Sequence, residues 1–366
     1  MYKILTVKKL HLLLLLLPLS LFAQKSVDLD KYRFSVQFRS LPAVRIDSTY
    51  RTYDVQVEAT RLTSPLLSEI QPENSVRLEG WKKLMQGGHI TVTVKLGDLI
   101  PGDVAVKERV VTNKNGNGVI TGTKIYYYQE VAYTFEAEAV ITDYKGMHIM
   151  DEQLASRTYK KVYRSPEFTN RVIAAGYFLA NSLAVTKELF RESVTSSMHR
   201  LTERLNRNFG YEPVTVNDMM WVIDSRKHPE YDEWRNAIRQ INDVLFSLSA
   251  STPATDALQQ VQPAINYFEK IKKLYSSSNR HDRKLRYGCY YNLAVLYYYL
   301  DDPQAMMKEA NGLELNDFDT KDAKGFKETA AWLKRVFEQN NIYTRHFPVD
   351  TDSFKGPYEK ADISVK

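Results

Sequence analysis

The chain has 366 residues, with 50 Lys and Arg against 44 Asp and Glu, which gives a formal net charge of +6. Residues 1–23 contain three of the lysines and no acidic residue, so 47 basic and 44 acidic residues remain, or +3. Charges of both signs are interspersed, which excludes the concentrated basic surface of a nucleic-acid-binding protein. A single cysteine, Cys289, excludes an internal disulfide. The length suffices for two domains that are held together by their cores.

The N-terminus has the three-part layout of a secretory signal. Three lysines precede an apolar run from Leu10 to Phe22, and Ala23 supplies a small residue at the expected cleavage point. The run is shorter than the ~20 apolar residues of a spanning helix, and it contains Pro18. We therefore expect residues 1–23 to be a cleaved signal peptide and no transmembrane span to remain. The ending Leu-Phe-Ala-Gln resembles signals of exported Bacteroidota proteins, which implies a periplasmic or outer-membrane-associated location.

Residues 24–165 form a region that is predicted to be rich in β-strands. Apolar and polar residues alternate there, as expected of strands with one buried face, at residues 32–38, 55–59 and 90–96. In the clearest unit, residues 104–112 and 119–128 flank an Asn-Gly turn, and a long strand is predicted at 132–141. Many short strands with Gly and Pro turns predict an antiparallel β-sandwich or an open barrel.

Residues 166–340 are predicted to be helical, because apolar residues recur there at spacings of three and four. Asp302 followed by Pro303 predicts the start of one of these helices. The last 26 residues, 341–366, are polar and without a period, and we expect an extended tail. The predicted fold class is therefore α+β, with the β-rich domain preceding the helical one.

The helical region has a loose internal register. An aromatic, a Leu, a small residue and a Tyr stand at spacings 0, +3, +4 and +7, namely Tyr290, Leu293, Ala294 and Tyr297. Apolar residues follow at +16, +20 and +23, namely Met306, Ala310 and Leu313. Looser matches occur in three further segments: Trp234, Ala237, Ile238 and Ile241; Ala264, Phe268 and Ile271; Phe326, Thr329, Ala330 and Leu333. This pattern resembles degenerate tetratricopeptide repeats (TPR-like).

The resemblance implies an array of helical hairpins that binds a peptide or another protein. The same spacings also occur in an ordinary helical bundle, and that alternative stays open. Candidate protein-binding residues are the tyrosines of one helix, Tyr290, Tyr291, Tyr297 and Tyr298. Tyrosines this dense are distributed around the whole helix, so some are expected at a surface. Tyrosine is favoured at interfaces, although packing between helices would explain each residue singly.

No local motif for catalysis, a metal or a cofactor is present. The histidines after residue 23 show no metal-binding spacing, and the Asn-rich turn at 113–118 lacks the carboxylates that calcium requires. Nucleophile-elbow, phosphate-loop and dinucleotide-binding patterns are missing as well. Cys289 lies in an apolar stretch, which indicates a buried thiol.

Tyr126 and Tyr128 fall on the same face of a predicted strand. Such a pair is a candidate platform for stacking a sugar, and cross-strand packing is the alternative explanation. The sequence as a whole favours a non-catalytic cell-envelope protein that binds another envelope protein or peptide through its helical half. A carbohydrate-binding module and an envelope hydrolase without a recognisable motif are the other two hypotheses.

Overall fold

The computed structural model describes residues 27–61 and 63–359. The predicted signal peptide, 1–23, lies outside the described residues. These described residues form ten strands: β1 (Leu29–Arg39), β2 (Thr52–Ala59), β3 (Lys82–Lys83), β4 (Ile90–Leu96), β5 (Ile100–Lys114), β6 (Ile120–Thr134), β7 (Ala137–Asp143), β8 (His148–Ala155), β9 (Lys161–Arg164) and β10 (Pro213–Ile223). The helices are α1 (Ser64–Ile70), α2 (Arg171–Phe209), α3 (Tyr231–Ser247), α4 (Ala257–Leu274), α5 (Arg280–Tyr299), α6 (Pro303–Leu315) and α7 (Thr320–Asn340). The predicted α+β class is confirmed.

The predicted hairpin is present and longer than expected. β5 and β6 pair in antiparallel register, with Val110 opposite Ile125. Between them the Asn115 Oδ1 accepts the backbone N–H groups of Asn117 and Val119, and Gly118 takes a φ of +78°. These features are those of a turn that Asn and Gly stabilise. The strand predicted at 132–141 is divided between the end of β6 and β7.

The strands form three sheets, ordered β3-β2-β4-β7-β8, β5-β6-β9 and β1-β10. β2 runs parallel to β3 and β4, so the five-stranded sheet is mixed and not purely antiparallel as predicted. The connection through α1 returns the chain to the starting end of β2, as a parallel pair requires. The alternating residues Ile90, Val92 and Val94 of β4 are fully buried.

The contact pattern divides the described chain into two compact units. The helical unit comprises residues 27–37, 215–248 and 254–334; the sheet unit comprises 38–214, 249–253 and 335–359. α2 therefore belongs to the sheet unit, although its composition is helical. It supplies the second layer of the core over the five-stranded sheet, where Phe190 packs edge-on against Phe135 at 5.7 Å.

The C-terminal residues are irregular, with one short 3₁₀ turn at Thr351–Ser353. The start of this tail is nevertheless anchored in the sheet unit. Arg345 and His346 are buried; the Arg345 guanidinium lies over the ring of Phe38, and His346 Nδ1 is 2.9 Å from the carbonyl oxygen of Ser249. In the part of the chain that the structure describes, no helix has the length and hydropathy to cross a bilayer.

Candidate functional site

In the helical unit, α5 and α6 pack as a close pair in the register on which the repeat resemblance rests. Asp302 caps α6 by accepting the Ala305 N–H at 2.9 Å, and Pro303 occupies the first turn, as predicted. Ala294 of α5 and Met306 of α6 are buried in one cluster. Gly312 lies directly against the ring of Tyr290, where any Cβ would overlap the ring. A small residue at this point allows the two helices to approach closely.

α3 and α4 form a second pair. Trp234 of α3 is fully buried and meets Phe268 of α4 edge-on, with ring centroids 5.1 Å apart. Gly288 of α5 approaches the same indole, because a Cβ there would lie 3.0 Å from it. The apolar positions of the predicted register thus face one another. The tetratricopeptide-like character of the array stays a prediction, because an ordinary helical bundle buries the same positions.

The four tyrosines proposed from sequence as a protein-binding surface are half-buried within this packing. Tyr291 packs against Trp221 and Phe326, with ring centroids 5.9 and 5.0 Å away. Tyr297 and Tyr298 lie against the cluster of Ala294 and Met306, and burial raises the pKa of Tyr297 to about 12. Much of their aromatic surface is therefore used inside the unit, and their role in binding a partner stays a prediction.

Behind Tyr290 lies a buried group of charges. Lys272 Nζ is 2.8 Å from carboxylate oxygens of both Glu309 and Glu269, and 4.5 Å from the centroid of the Tyr290 ring. Burial raises the pKa of Glu309 against the opposing effect of Lys272. Burial also raises the pKa of the Cys289 thiol, so a reactive thiolate is disfavoured. The Lys272 ammonium group and the carboxylates of Glu269 and Glu309 thus pair with one another within the packing of α4, α5 and α6.

A shallow, open concavity of the helical unit lies between α3 and α4. It is a groove of about 480 Å³ lined by Asn236, Arg239, Gln240, Asp243, Val244 and Gln260. Gln240 Nε2 donates to the backbone carbonyl of Gln260 at 2.8 Å, which ties the two walls together. One turn beyond Asp243, the Phe246 side chain is 77% exposed. The groove lining therefore combines amide and charged groups, and an exposed aromatic residue follows about one turn further along α3.

Sequence reasoning did not identify this groove. Asn236, Gln240 and Asp243 recur at spacings of four and three on the polar side of α3, as on any solvated helix face. What distinguishes them is Gln260 on the opposite wall, 20 residues further along the chain. No local pattern predicts that juxtaposition.

In the sheet unit, Tyr126 and Tyr128 share one face of β6, as predicted, and are half-buried. The Arg109 guanidinium lies 5.1 Å from the Tyr126 ring centroid, and the Arg164 guanidinium lies 3.6 Å from that of Tyr128. Glu167 joins the two arginines, accepting from Arg109 Nε at 2.8 Å and from Arg164 Nη2 at 2.6 Å. Both rings are therefore covered on one side by guanidinium groups, and their use as a sugar platform stays a prediction.

A cleft of about 760 Å³ in the sheet unit has Tyr50, Asp143 and His148 in its walls, three side chains of types that occur in catalytic sites. Asp143 accepts the backbone N–H groups of Lys145 and Met147 and the Tyr50 hydroxyl, at 2.8–3.2 Å. Burial acts to raise the pKa of Asp143, but these hydrogen bonds hold it below its usual value. His148 pairs with Asp151 at 2.9 Å. The carboxylate thus stabilises the β7–β8 turn.

Across residues 27–61 and 63–359, no group of three or more His, Cys, Asp or Glu side chains could hold a metal ion.

No protein-family model matches the chain, and no curated protein matches it. Among solved structures, the chain is similar to a neuraminyllactose-binding hemagglutinin homolog from Helicobacter pylori, with 9% sequence identity. The likeness covers 45% of this chain and 91% of that chain, with a TM-score of 0.22. A TM-score this low transfers neither fold nor function.

Proposed function

We propose that this chain is a non-catalytic cell-envelope protein that binds another envelope protein or a peptide through its helical unit. Export by the N-terminal signal would bring it to the periplasm or the outer membrane. The observation that carries the proposal is the α3–α4 groove, an open concavity that is lined by hydrogen-bonding side chains. The close packing of α3 with α4 and of α5 with α6 supports a degenerate tetratricopeptide-like array as the framework of this groove.

The lining suits an extended peptide. Each amide side chain offers both a donor and an acceptor, the same groups that a peptide backbone presents. Asn236 and Gln240 could therefore bond to the backbone of a bound segment without regard to its sequence. Arg239 and Asp243 add one charge of each sign, which would select a register. Phe246, about one turn further along α3, would supply apolar contact area to a segment that extends beyond the groove.

The test begins with the tagged full-length protein in its native host, cross-linked and purified together with its partner. We expect the double variant Asn236→Ala/Gln240→Ala to lose that partner while its circular dichroism spectrum is unchanged. The matched control is Gln262→Ala/Asn266→Ala, which removes two exposed amides that bond to each other on a different side of α4. Equal recovery of the partner by both variants would reject the groove as its binding site.

A second candidate function, carbohydrate binding, is favoured by Tyr126 and Tyr128 with their two arginines. An acidic sugar could accept hydrogen bonds from a guanidinium group while its ring packs on a tyrosine. Binding to a glycan array that disappears in Tyr126→Ala/Tyr128→Ala, with the groove variant still binding, would support this function. Absence of glycan binding by the parent protein would remove it.

A further inference from the structure

α2 uses two different faces along its 39 residues. In its C-terminal part, Phe190, Val194 and Leu201 are buried against the five-stranded sheet. At 100° per residue, Val172, Leu179 and Leu183 project in the same direction, because all six residues fall within a sector of about 60°. The apolar face that forms core in the second part of the helix therefore continues into its first part.

The first part of α2 packs through another face. Ala174 is buried, and Gln129 of β6 bonds to the helix backbone, donating to Ala175 O at 2.9 Å and accepting from Phe178 N at 2.8 Å. Tyr177 contacts Phe168, with ring centroids 5.5 Å apart. This packing holds the N-terminal part of α2 on the three-stranded sheet. The stripe of Val172, Leu179 and Leu183 consequently points away from that sheet.

The stripe is bare and uncharged. Val172, Leu179 and Leu183 are 79%, 84% and 85% exposed, and residues 172–186 contain no Asp, Glu, Lys or Arg. Within residues 27–61 and 63–359, no atom lies within 4 Å of the place where a Cβ of Gly176 would stand; Gly176 lies between Val172 and Leu179 on the same face. Contiguous apolar surface on a folded protein marks an interaction site. A charged partner surface would lose its hydration here without any compensating ion pair.

We propose that the stripe, defined as Val172, Gly176, Leu179, Ala180 and Leu183, is covered by the same stripe of a second copy of this chain. The two helices run antiparallel, with a two-fold axis between Leu179 and Ala180. This alignment sets Leu183 of one copy opposite the open space at Gly176 of the other, and Leu179 opposite Ala180. The large and small residues of the stripe are thus complementary to themselves, as an isologous interface requires.

Charge at the end of the stripe is consistent with this pairing. Lys187, which falls opposite Val172 of the second copy, is held by Glu69 at 2.7 Å. Its charge is thereby balanced within its own chain. The paired segment, residues 172–187, is about 22 Å long, so each copy contributes only about four turns of one helix to the contact. The dimer is therefore weak and dissociates on dilution.

Cross-linking through an introduced cysteine tests the alignment in the full-length protein. The native Cys289 is fully buried, so a short bismaleimide reagent reacts only with the introduced thiol. Ala180→Cys stands beside the proposed axis and is expected to give a covalent dimer. The control, Leu315→Cys, is at a residue of α6 that is 85% exposed, as Leu183 of the stripe is. Dimer formation by the control as readily as by Ala180→Cys would overturn the alignment.

Sedimentation equilibrium gives an independent test without a reagent. The parent protein is expected to show a concentration-dependent monomer–dimer equilibrium. Gly176→Leu fills the space that receives Leu183 and should weaken dimerisation at least tenfold, although the helix itself keeps or gains stability. Gly325→Leu, at an open glycine of α7, is the matched control and should leave the equilibrium unchanged.

Two results would overturn the proposal. The first is a parent protein that stays monomeric at every concentration tested, with Ala180→Cys unlinked. The second is a dimer that Gly176→Leu leaves intact. Binding of the monomer to phosphatidylethanolamine–phosphatidylglycerol vesicles, abolished by Leu183→Glu, would assign the stripe to lipid in place of a second copy.

Discussion

Lys272 shows how a single residue can hold three helices together. Its side chain is only 8% exposed, yet its ammonium group meets Glu309, which is 1% exposed, and the half-buried Glu269. Taking charges out of water is costly, and mutual attraction repays that cost only when every partner is present. The free energy of unfolding therefore depends less on the attraction between these charges than on the penalty for removing one of them.

We predict that Lys272→Met lowers the free energy of unfolding by about 3–5 kcal/mol, because it leaves Glu309 buried without its partner. The double variant Lys272→Met/Glu309→Met should recover most of that loss. Lys95→Ala breaks an exposed pair with Glu138 and should cost about 1 kcal/mol or less. Chemical denaturation of the four proteins measures these differences. Equal losses for Lys272→Met and Lys95→Ala would contradict the prediction.

Asn292 also acts as a single residue, in this case by substituting for a neighbouring strand. Its fully buried side chain accepts the Trp221 N–H at 2.7 Å and donates to the Trp221 carbonyl at 2.8 Å. These are the two bonds that an adjacent backbone would make to β10. The carbonyl also accepts from Trp234 Nε1 at 2.7 Å. A helix side chain thus pairs the Trp221 N–H and shares the Trp221 carbonyl with the Trp234 indole.

Helix pairs in this molecule depend on where small residues stand. Gly312 of α6 contacts Tyr290 of α5, and a Cβ would come within 2.7 Å of the ring atom Cδ1. At Gly325 of α7, no atom of the described residues lies within 4 Å of where a Cβ would stand. Both glycines are inside helices, so they share the low intrinsic helix propensity of glycine and differ in what surrounds them.

We predict opposite effects for the same substitution at these two positions. Gly312→Ala should lower the free energy of unfolding by about 1–3 kcal/mol, because the added methyl group forces α5 and α6 apart. Gly325→Ala should raise it by up to about 1 kcal/mol through helix propensity alone. Thermal and chemical denaturation distinguish the two. A stabilising Gly312→Ala would show that the close approach of the helices is not required.

At the scale of the whole molecule, neither compact unit is one continuous stretch of chain. β1, β10 and α7 each run through a boundary between units, and the helical unit collects three separate segments. The change in composition near residue 165 marks the passage from strands to helices. The two units are instead defined by which residues contact one another. A cut at 165 would separate β1 from β10 and the five-stranded sheet from the α2 face that completes its core.

We therefore predict that fragments 24–165 and 166–340, expressed separately, do not fold as the domains that composition indicates. The exposed faces of α2 and of the five-stranded sheet should make both fragments bind a hydrophobic dye and lose amide protection from hydrogen exchange. The undivided chain of residues 24–366 is the control. Two fragments with cooperative unfolding transitions would instead support the boundary at 165.

Features that depend on near neighbours were determined by the sequence. The alternation in β4, the Asn115 turn of the hairpin and the Asp302–Pro303 helix start each rest on residues that are a few positions apart. Local spacing also identified the buried positions of α3 and α5, including Trp234 and Leu293. Such features follow from backbone geometry, which fixes the direction of each side chain within an element.

Features that join distant segments were decided only by the tertiary structure. The parallel pairing of β2 with β4, the facing of Gln260 and Gln240, and the two faces of α2 have no local signal. Tyr291 of α5 shows the difference: its spacing from the other tyrosines placed it on a helix face, but contacts with Trp221 and Phe326 decide how much of its ring solvent can reach. The period of apolar and polar residues along an element sets which way each side chain points. Packing between residues far apart in the sequence decides what covers that side chain.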